Sequence, residues 1–203
     1  MATLPNMIVL IPVFNEEANI GPLLQEVGKH LPGVAICVVN DCSTDGTAQK
    51  LKASGCAHLN LPCNLGVGGA MQAGFRYAVE HGFDYAIRLD GDGQHPPAEC
   101  GALIERMACG DVDLVVGSRF LADGGYTSTR VRQIGIAGLA AFLSYACSQR
   151  ITDPTSGLQI ANRAVMHYFA SRYPVDYPEP ESLALLSRQG YRFAEAPAKF
   201  RAR

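Results

Sequence analysis

The sequence predicts an α/β fold, a mainly parallel central sheet with helices on both faces, and three observations carry that reading. Short apolar, β-branched runs alternate with segments of helical periodicity. Polar clusters stand at the carboxyl ends of four of those runs, where doubly wound sheets bind ligands. The 203 residues, 48% hydrophobic and 18% charged without a low-complexity tract, suffice for one substantial core.

Taken in order, residues 7–12 read as a buried parallel strand leading into Val13-Phe-Asn-Glu-Glu17. Asn15 is the expected N-cap of a helix carrying Ile20, Leu23, Leu24 and Val27 at helical spacing. A second strand over 34–39 ends in the cap-rich stretch 40–47 and a helix through Lys52. A weak third strand near 58–61 is followed by a glycine loop, 62–69, and a helix to His81. The fourth strand starts at Tyr85 and runs into Asp90-Gly-Asp-Gly-Gln-His-Pro-Pro97. A helix over 100–109 and a strand over 113–117 then deliver Ser118 and Arg119 to the same edge. Residues 121–129 read as a loop, either a closing segment or plain surface. Arg130-Val-Arg132 opens an apolar helix over 133–147 closed by Arg150, too short to span a bilayer. The tail predicts a strand near 158–161, a helix from Arg163, a Pro-rich turn over 177–181, a helix ending at Gly190, and a closing segment over 193–197.

Composition excludes several function classes. A net charge of −2 and a pI near 6.2 give no general attraction to nucleic acid, so an anionic ligand must be met locally. Seven cysteines, an odd number without a C-x-x-C pair, argue against a disulfide framework or structural zinc and for a reducing cytoplasm. The amino terminus shows neither a signal peptide nor a spanning segment.

The chemistry concentrates at Asp90 and Asp92. Two carboxylates on one short turn offer hard oxygen ligands that could share Mg2+ or Mn2+ with a diphosphate, although Asp and Gly also suit any solvated strand end. Asn15 with Glu16, Asp41, Asn64 and the Asp90 turn each follow a strand, and their convergence on one edge favours a nucleotide and metal site. Gly66-Val-Gly68-Gly69 imitates a dinucleotide-binding turn poorly, because its third glycine would fall on Met71 and it follows the third strand. Those glycines serve either close helix packing or a phosphate contact.

Several blocks in order, Ile11-Pro-Val-Phe-Asn-Glu-Glu17, Val39-Asn-Asp-Cys-Ser-Thr-Asp-Gly46, Asn64-Leu-Gly-Val-Gly-Gly-Ala70, Asp90 to Pro97, Gly117-Ser-Arg-Phe120 and Asp153-Pro-Thr-Ser-Gly157, give the chain a family likeness. It resembles the family 2 glycosyltransferases of the GT-A fold, in the branch of dolichyl-phosphate mannose synthase and bacterial polyprenyl-phosphate sugar transferases. The resemblance implies one catalytic domain over 1–203, a nucleotide-binding half to about 119 and an acceptor-binding half from about 120. It implies an inverting transfer from a UDP- or GDP-sugar, with Pro12, Phe14, Glu16, Asp41, Asn64, Gly68 and Asp90 around the nucleotide sugar. Asp90, Asp92 and Gln94 would hold the metal, and Asp92, Arg119, Asp153 and Glu179 would serve catalysis.

The acceptor stays open between two chemistries. A polyprenyl phosphate needs cations, Arg119 and Arg132, whereas a sugar hydroxyl needs a base, and Glu179 lies 11 residues before Gly190, where hydroxyl-acceptor relatives carry theirs. Gln159 stands where many relatives have arginine, and the chain stops at Arg203 inside a region that relatives continue. The apolar helix after Arg132 is either an ordinary core helix or one that lies in the membrane interface, giving a cytoplasmic protein in contact with the inner face of the membrane. A non-catalytic nucleotide-sugar-binding module is the competing function class. A sugar-1-phosphate nucleotidyltransferase is disfavoured because no Gly-rich loop with Arg and Lys follows the first strand.

Overall fold

The two faces of one strand organise the molecule. In β1 (Met7–Val13), Val9, Ile11 and Val13 join one apolar layer while Ile8 and Leu10 join the other, as pleating requires. All five are at most 3% exposed, which is why this strand is central. The structure, a computed structural model, describes residues 5–122 and 130–201, the side chains of residues 130–132 excepted.

Strand β1 pairs in parallel with β2 (Ala35–Asn40) and β4 (Tyr85–Arg88), and β2 carries β3 (Ala57–Asn60) on its outer side. Strand β6 (Gln159–Asn162) enters antiparallel between β4 and β5 (Leu114–Ser118), and β7 (Phe193–Pro197) runs parallel to β5 at the far edge. The order is β3-β2-β1-β4-β6-β5-β7, a mainly parallel sheet. Helices α1 (Glu17–His30), α2 (Thr47–Ser54) and α4 (Cys100–Ala108) cover one face through Ile20, Leu23, Val27, Leu51, Leu103 and Met107. Helices α3 (Gly66–Glu80), α5 (Arg130–Cys147), α6 (Arg163–Arg172) and α7 (Pro178–Arg188) cover the other through Met71, Phe75, Leu143, Phe169, Leu183 and Leu186. Each such side chain, fully buried, contributes roughly 1.5–3 kcal/mol of transfer free energy.

Four local expectations are corrected. Asn15 does not cap α1: it sits at φ 56°, its Oδ1 accepts from Thr44 N at 2.8 Å, and the N-cap is Glu16. The glycine segment is the first turn of α3 rather than a loop. At Gly68 a Cβ would lie 2.7 Å from Val175 Cα, so this glycine admits the backbone after α6 rather than the sheet. The Pro-rich stretch is not a turn before the last helix but its first turn, since Pro178 fits the N1 position where no amide is needed. Of the expected loop over 121–129, residues 123–129 lie outside the described residues.

Candidate active site

The turn after β4 is packed rather than flexible. A Cβ at the buried Gly91 would stand 2.9 Å from the Pro12 carbonyl, so only glycine lets the turn rest on the end of β1. Gly93, at φ 74°, supplies the left-handed residue that reverses the chain. The Asp92 carboxylate accepts from Gln94 N at 3.0 Å and from Gln94 Nε2. His95 is 3% exposed and its Nδ1 accepts from Asp90 N at 3.1 Å, which puts the ring proton on Nε2. Burial lowers the His95 pKa, the Asp90 charge opposes this incompletely, and the ring is neutral at pH 7.

Arg88, the last residue of β4, was missed by periodicity and is the hub of the site. Its guanidinium is buried and reaches three elements: Asp90 Oδ1 at 3.1 Å, the Tyr173 hydroxyl at 3.1 Å and Glu179 Oε1 at 2.6 Å. Burial alone would lower its pKa, but Asp90, Tyr173 and Glu179 outweigh it and raise the value well above the ordinary one. Burial likewise pushes the Asp90 carboxyl up, and Arg88 with His95 brings it below the usual range. Gly157 belongs to this contact, since a Cβ there would meet Asp90 Oδ2 at 2.6 Å and Arg88 Nη2 at 3.0 Å. The available signal was an arginine inside an otherwise apolar strand, which burial forces into a pair.

Arg119 and Asp153, expected separately, form one buried fork. Arg119 Nε and Nη2 donate to Asp153 at 2.7 and 2.6 Å, Nη2 also meets Thr155 Oγ1 at 2.7 Å, and Asp153 is fully buried. Glu195 on β7, which the sequence did not single out, fixes this loop by accepting from Thr152 N and Asp153 N, each at 2.8 Å. Phe200 lies between the two clusters, its ring 4.5 Å from that of His95 and 5.2 Å from the Arg119 guanidinium. The Arg132 side chain lies outside the described residues.

Around the end of β1, Pro12 is buried and Phe14 is 47% exposed. Glu16 Oε2 accepts from Asn19 Nδ2 at 2.6 Å. Asp41, buried at the end of β2, accepts from Leu65 N at 2.7 Å, while Asn64 donates to the Asp41 carbonyl and accepts from Gly66 N. Asp41 and Asn64 therefore also build the start of α3. Asn19 lines two clefts, one of about 210 Å³ with Asp92 and Gln94, the other of about 350 Å³ with Glu16 and Asp45. The structure thus joins Asp90 to Glu179 through Arg88, sets Asp92 and Gln94 on the adjoining turn, reaches Glu16 through Asn19, and leaves Gly68 to packing against Val175.

The donor set fits a hard divalent cation. Asp90 and Glu179 share the Arg88 guanidinium while the Asp92 carboxylate is held by the neutral Gln94, so the carboxylate charge here exceeds that of Arg88, and carboxylate oxygens are hard ligands. Among the described residues no three His, Cys, Asp or Glu side chains converge into a protein-only cage. An ion of the Mg2+ class would complete its shell from a diphosphate and water, and a half-turn of the Gln94 amide would present its oxygen.

Helix α5 buries Ile136, Ala140, Leu143 and Cys147 and turns Ile134 (73% exposed), Phe142 (65%) and Tyr145 (88%) outward. From Gln133 to Cys147 it carries no charged residue. Among the described residues no helix is long and apolar enough to cross a membrane.

Comparison with known proteins agrees with this fold. Polyprenol monophosphomannose synthase of Mycolicibacterium smegmatis is 28% identical over 166 residues, 78% of this chain and 62% of that protein. Undecaprenyl-phosphate mannosyltransferase of Micrococcus luteus is 31% identical over 158 residues, 74% of this chain and 64% of that protein. The chain spans less than two thirds of either relative. Glucosyl-3-phosphoglycerate synthase of Mycobacterium tuberculosis, crystallised with Mn2+, UDP and phosphoglyceric acid, superposes with a TM-score of 0.70 at 22% identity, covering 97% of this chain and 71% of that one, and shows the shared GT-A fold. The profile of glycosyl transferase family 2 matches residues 8–169, and to that family of transferases the chain belongs.

Proposed function

We propose that the chain moves a sugar, with inversion, from a nucleotide diphosphate sugar to a polyprenyl phosphate at a membrane surface. The observation that carries the choice of acceptor is the Glu179 to Arg88 pair at 2.6 Å. A base for a sugar hydroxyl must take up a proton, and neutralising Glu179 would remove one of the two anions holding a buried guanidinium. A phosphate needs no base. One of its oxygens bonds to the anomeric carbon as the bond from that carbon to the diphosphate breaks, and the electron pair leaves on the nucleoside diphosphate. Both relatives have names that specify polyprenyl carriers, and the uncharged outer face of α5 offers a surface for such a lipid.

Asp90, Asp92 and Gln94 would hold Mg2+ or Mn2+, which when bound supplies positive charge against the leaving diphosphate. Phe14, Glu16 and Asp41 would receive the nucleoside, with Pro12 as the floor beneath Gly91. Asn64 and Gly68 would shape the start of α3 beside the donor. Arg119, oriented by Asp153, would face the acceptor phosphate together with Arg132, and the nucleotide-binding half would end near residue 119.

A thermal-shift screen of UDP- and GDP-sugars with and without Mn2+ tests the donor. One nucleotide sugar should stabilise the chain only with metal, by about 2.7 kcal/mol at a hundredfold excess over Kd. Asp92→Asn should abolish that shift while melting normally. Glu179→Gln separates the acceptors: a turnover loss on the order of 10²–10⁴-fold points to a hydroxyl, and a milder loss to a phosphate. Stabilisation by neither nucleotide would refute the donor reading.

A further inference from the structure

The buried Arg88 guanidinium has more to do than fill a gap in the core. It ends β4, two residues before Asp90, and grips one oxygen of that carboxylate while its outer nitrogens hold Tyr173, at the end of α6, and Glu179, in the first turn of α7. Tyr173 is itself buried, 4% exposed, and its ring packs on Phe75 and Phe169 at 5.3 and 4.8 Å, so the third partner cannot drift away. Gly157 closes the fourth side, where any side chain would strike Asp90 or Arg88. The planar fork serves these three oxygens from three separate nitrogens in fixed directions, which the single nitrogen of a lysine ammonium does not reproduce.

We propose that Arg88 is a positioning residue shared between donor and acceptor sides, a counter-ion for which a metal at Asp90 and the carboxylate of Glu179 compete. The inference rests on the metal reading given above. Arg88 stands in contact with Asp90, so its positive charge opposes a cation arriving at that carboxylate. Glu179 draws the same guanidinium the other way and thereby favours the cation. Loading the turn loosens the Arg88 grip on Asp90 and leaves the guanidinium to Glu179 and Tyr173, which fixes the start of α7 when the donor site is filled. Coupling of this kind is reciprocal, so whatever alters Glu179 must alter metal affinity.

The two anchors predict opposite signs. Titration of MnCl2 alone into the folded chain, followed by calorimetry, should show Arg88→Met binding Mn2+ about tenfold more tightly than the unaltered chain, because a like charge has been removed next to the ligand. Glu179→Gln should bind it about threefold to tenfold more weakly, because Arg88 then turns wholly to Asp90. Turnover should fall in both, on the order of 10²-fold for Arg88→Met, as α7 loses its anchor. A merely structural arginine predicts instead that Mn2+ affinity stays constant or falls in both variants in step with the melting temperature, and that result overturns the proposal. Should Arg88→Met fail to fold, Glu179→Gln decides alone, since its carboxylate is partly exposed and unchanged Mn2+ affinity there overturns the idea equally. If the unaltered chain binds no Mn2+, the metal reading fails and takes this inference with it. Binding in the unaltered chain that Asp92→Asn abolishes, without the opposed shifts, defeats this inference alone.

Discussion

Arg119 shows what happens when two residues read as chemistry turn out to hold each other. Its fork is closed on Asp153, which is fully buried, so the pair contributes first to the shape of the loop over 151–157. Arg119→Ala would strand a buried carboxylate and is expected to cost about 3–5 kcal/mol, read as a lower urea midpoint at unchanged slope. A smaller loss with a raised acceptor KM would instead mark the guanidinium as a phosphate contact. Asp41, Asp90 and Asp92 were legible in the sequence because carboxylates at a strand end announce themselves by type and position, whereas Asp153 and Glu179 were singled out only through the family resemblance. Arg88, His95 and Glu195 were not legible. Each lies inside a stretch whose pattern predicts only a strand or turn, and its role depends on partners from 2 to 91 residues away.

Among the elements, α5 departs most from what its composition alone could settle. The spacing shows an apolar helix and cannot say which side meets the core; the fold answers that Ile136, Ala140 and Leu143 do, while Ile134, Phe142 and Tyr145 face outward. Leu139 also packs against the core layer and is a poor probe of the outer face. Phe142→Glu with Tyr145→Glu should therefore release the chain from anionic vesicles in a sedimentation assay without lowering its melting temperature, whereas Leu143→Glu should unfold it. Retention of the double variant on vesicles would remove α5 as the membrane contact. Helix α7 teaches the complementary lesson. Tyr177-Pro-Glu-Pro-Glu181 reads as a turn because prolines break helices, yet the first helical turn is the one place where they fit.

At the scale of the whole molecule, the alternation of strands and helices, the mainly parallel sheet and the gathering of polar residues at the carboxyl ends of β1, β2 and β4 were all readable, because buried parallel strands announce themselves as continuous apolar runs. The antiparallel insertion of β6 was not, since strand order depends on contacts that no local pattern encodes. The two layers flanking the sheet can be followed separately through thiols. Cys37 lies in the α3 layer and Cys100 in the α1 layer, and burial pushes each thiol up to about 12 from an ordinary 9.0. Both are expected to resist maleimide at pH 8 while the exposed Cys63 and Cys109 react. Because the folded values lie above the unfolded ones, these thiols favour folding fully below pH 9. That contribution is lost as pH rises from 9 toward 12, and alkaline melts should show the decline. Labelling of Cys37 before Cys100 during mild denaturation would show that the layers open independently.

The place of β6 has a consequence for how the chain comes off the ribosome. When the first 119 residues have emerged, β4 offers a naked edge and β5 has no hydrogen-bonded neighbour at all, because the strand between them begins at Gln159 and the one beyond at Phe193. The nascent sheet must wait some 40 residues, a few seconds of translation, with unpaired amides and carbonyls facing solvent. Slow synthesis in that interval invites intermolecular strand pairing, and a fragment ending near residue 119 should aggregate where the entire chain does not.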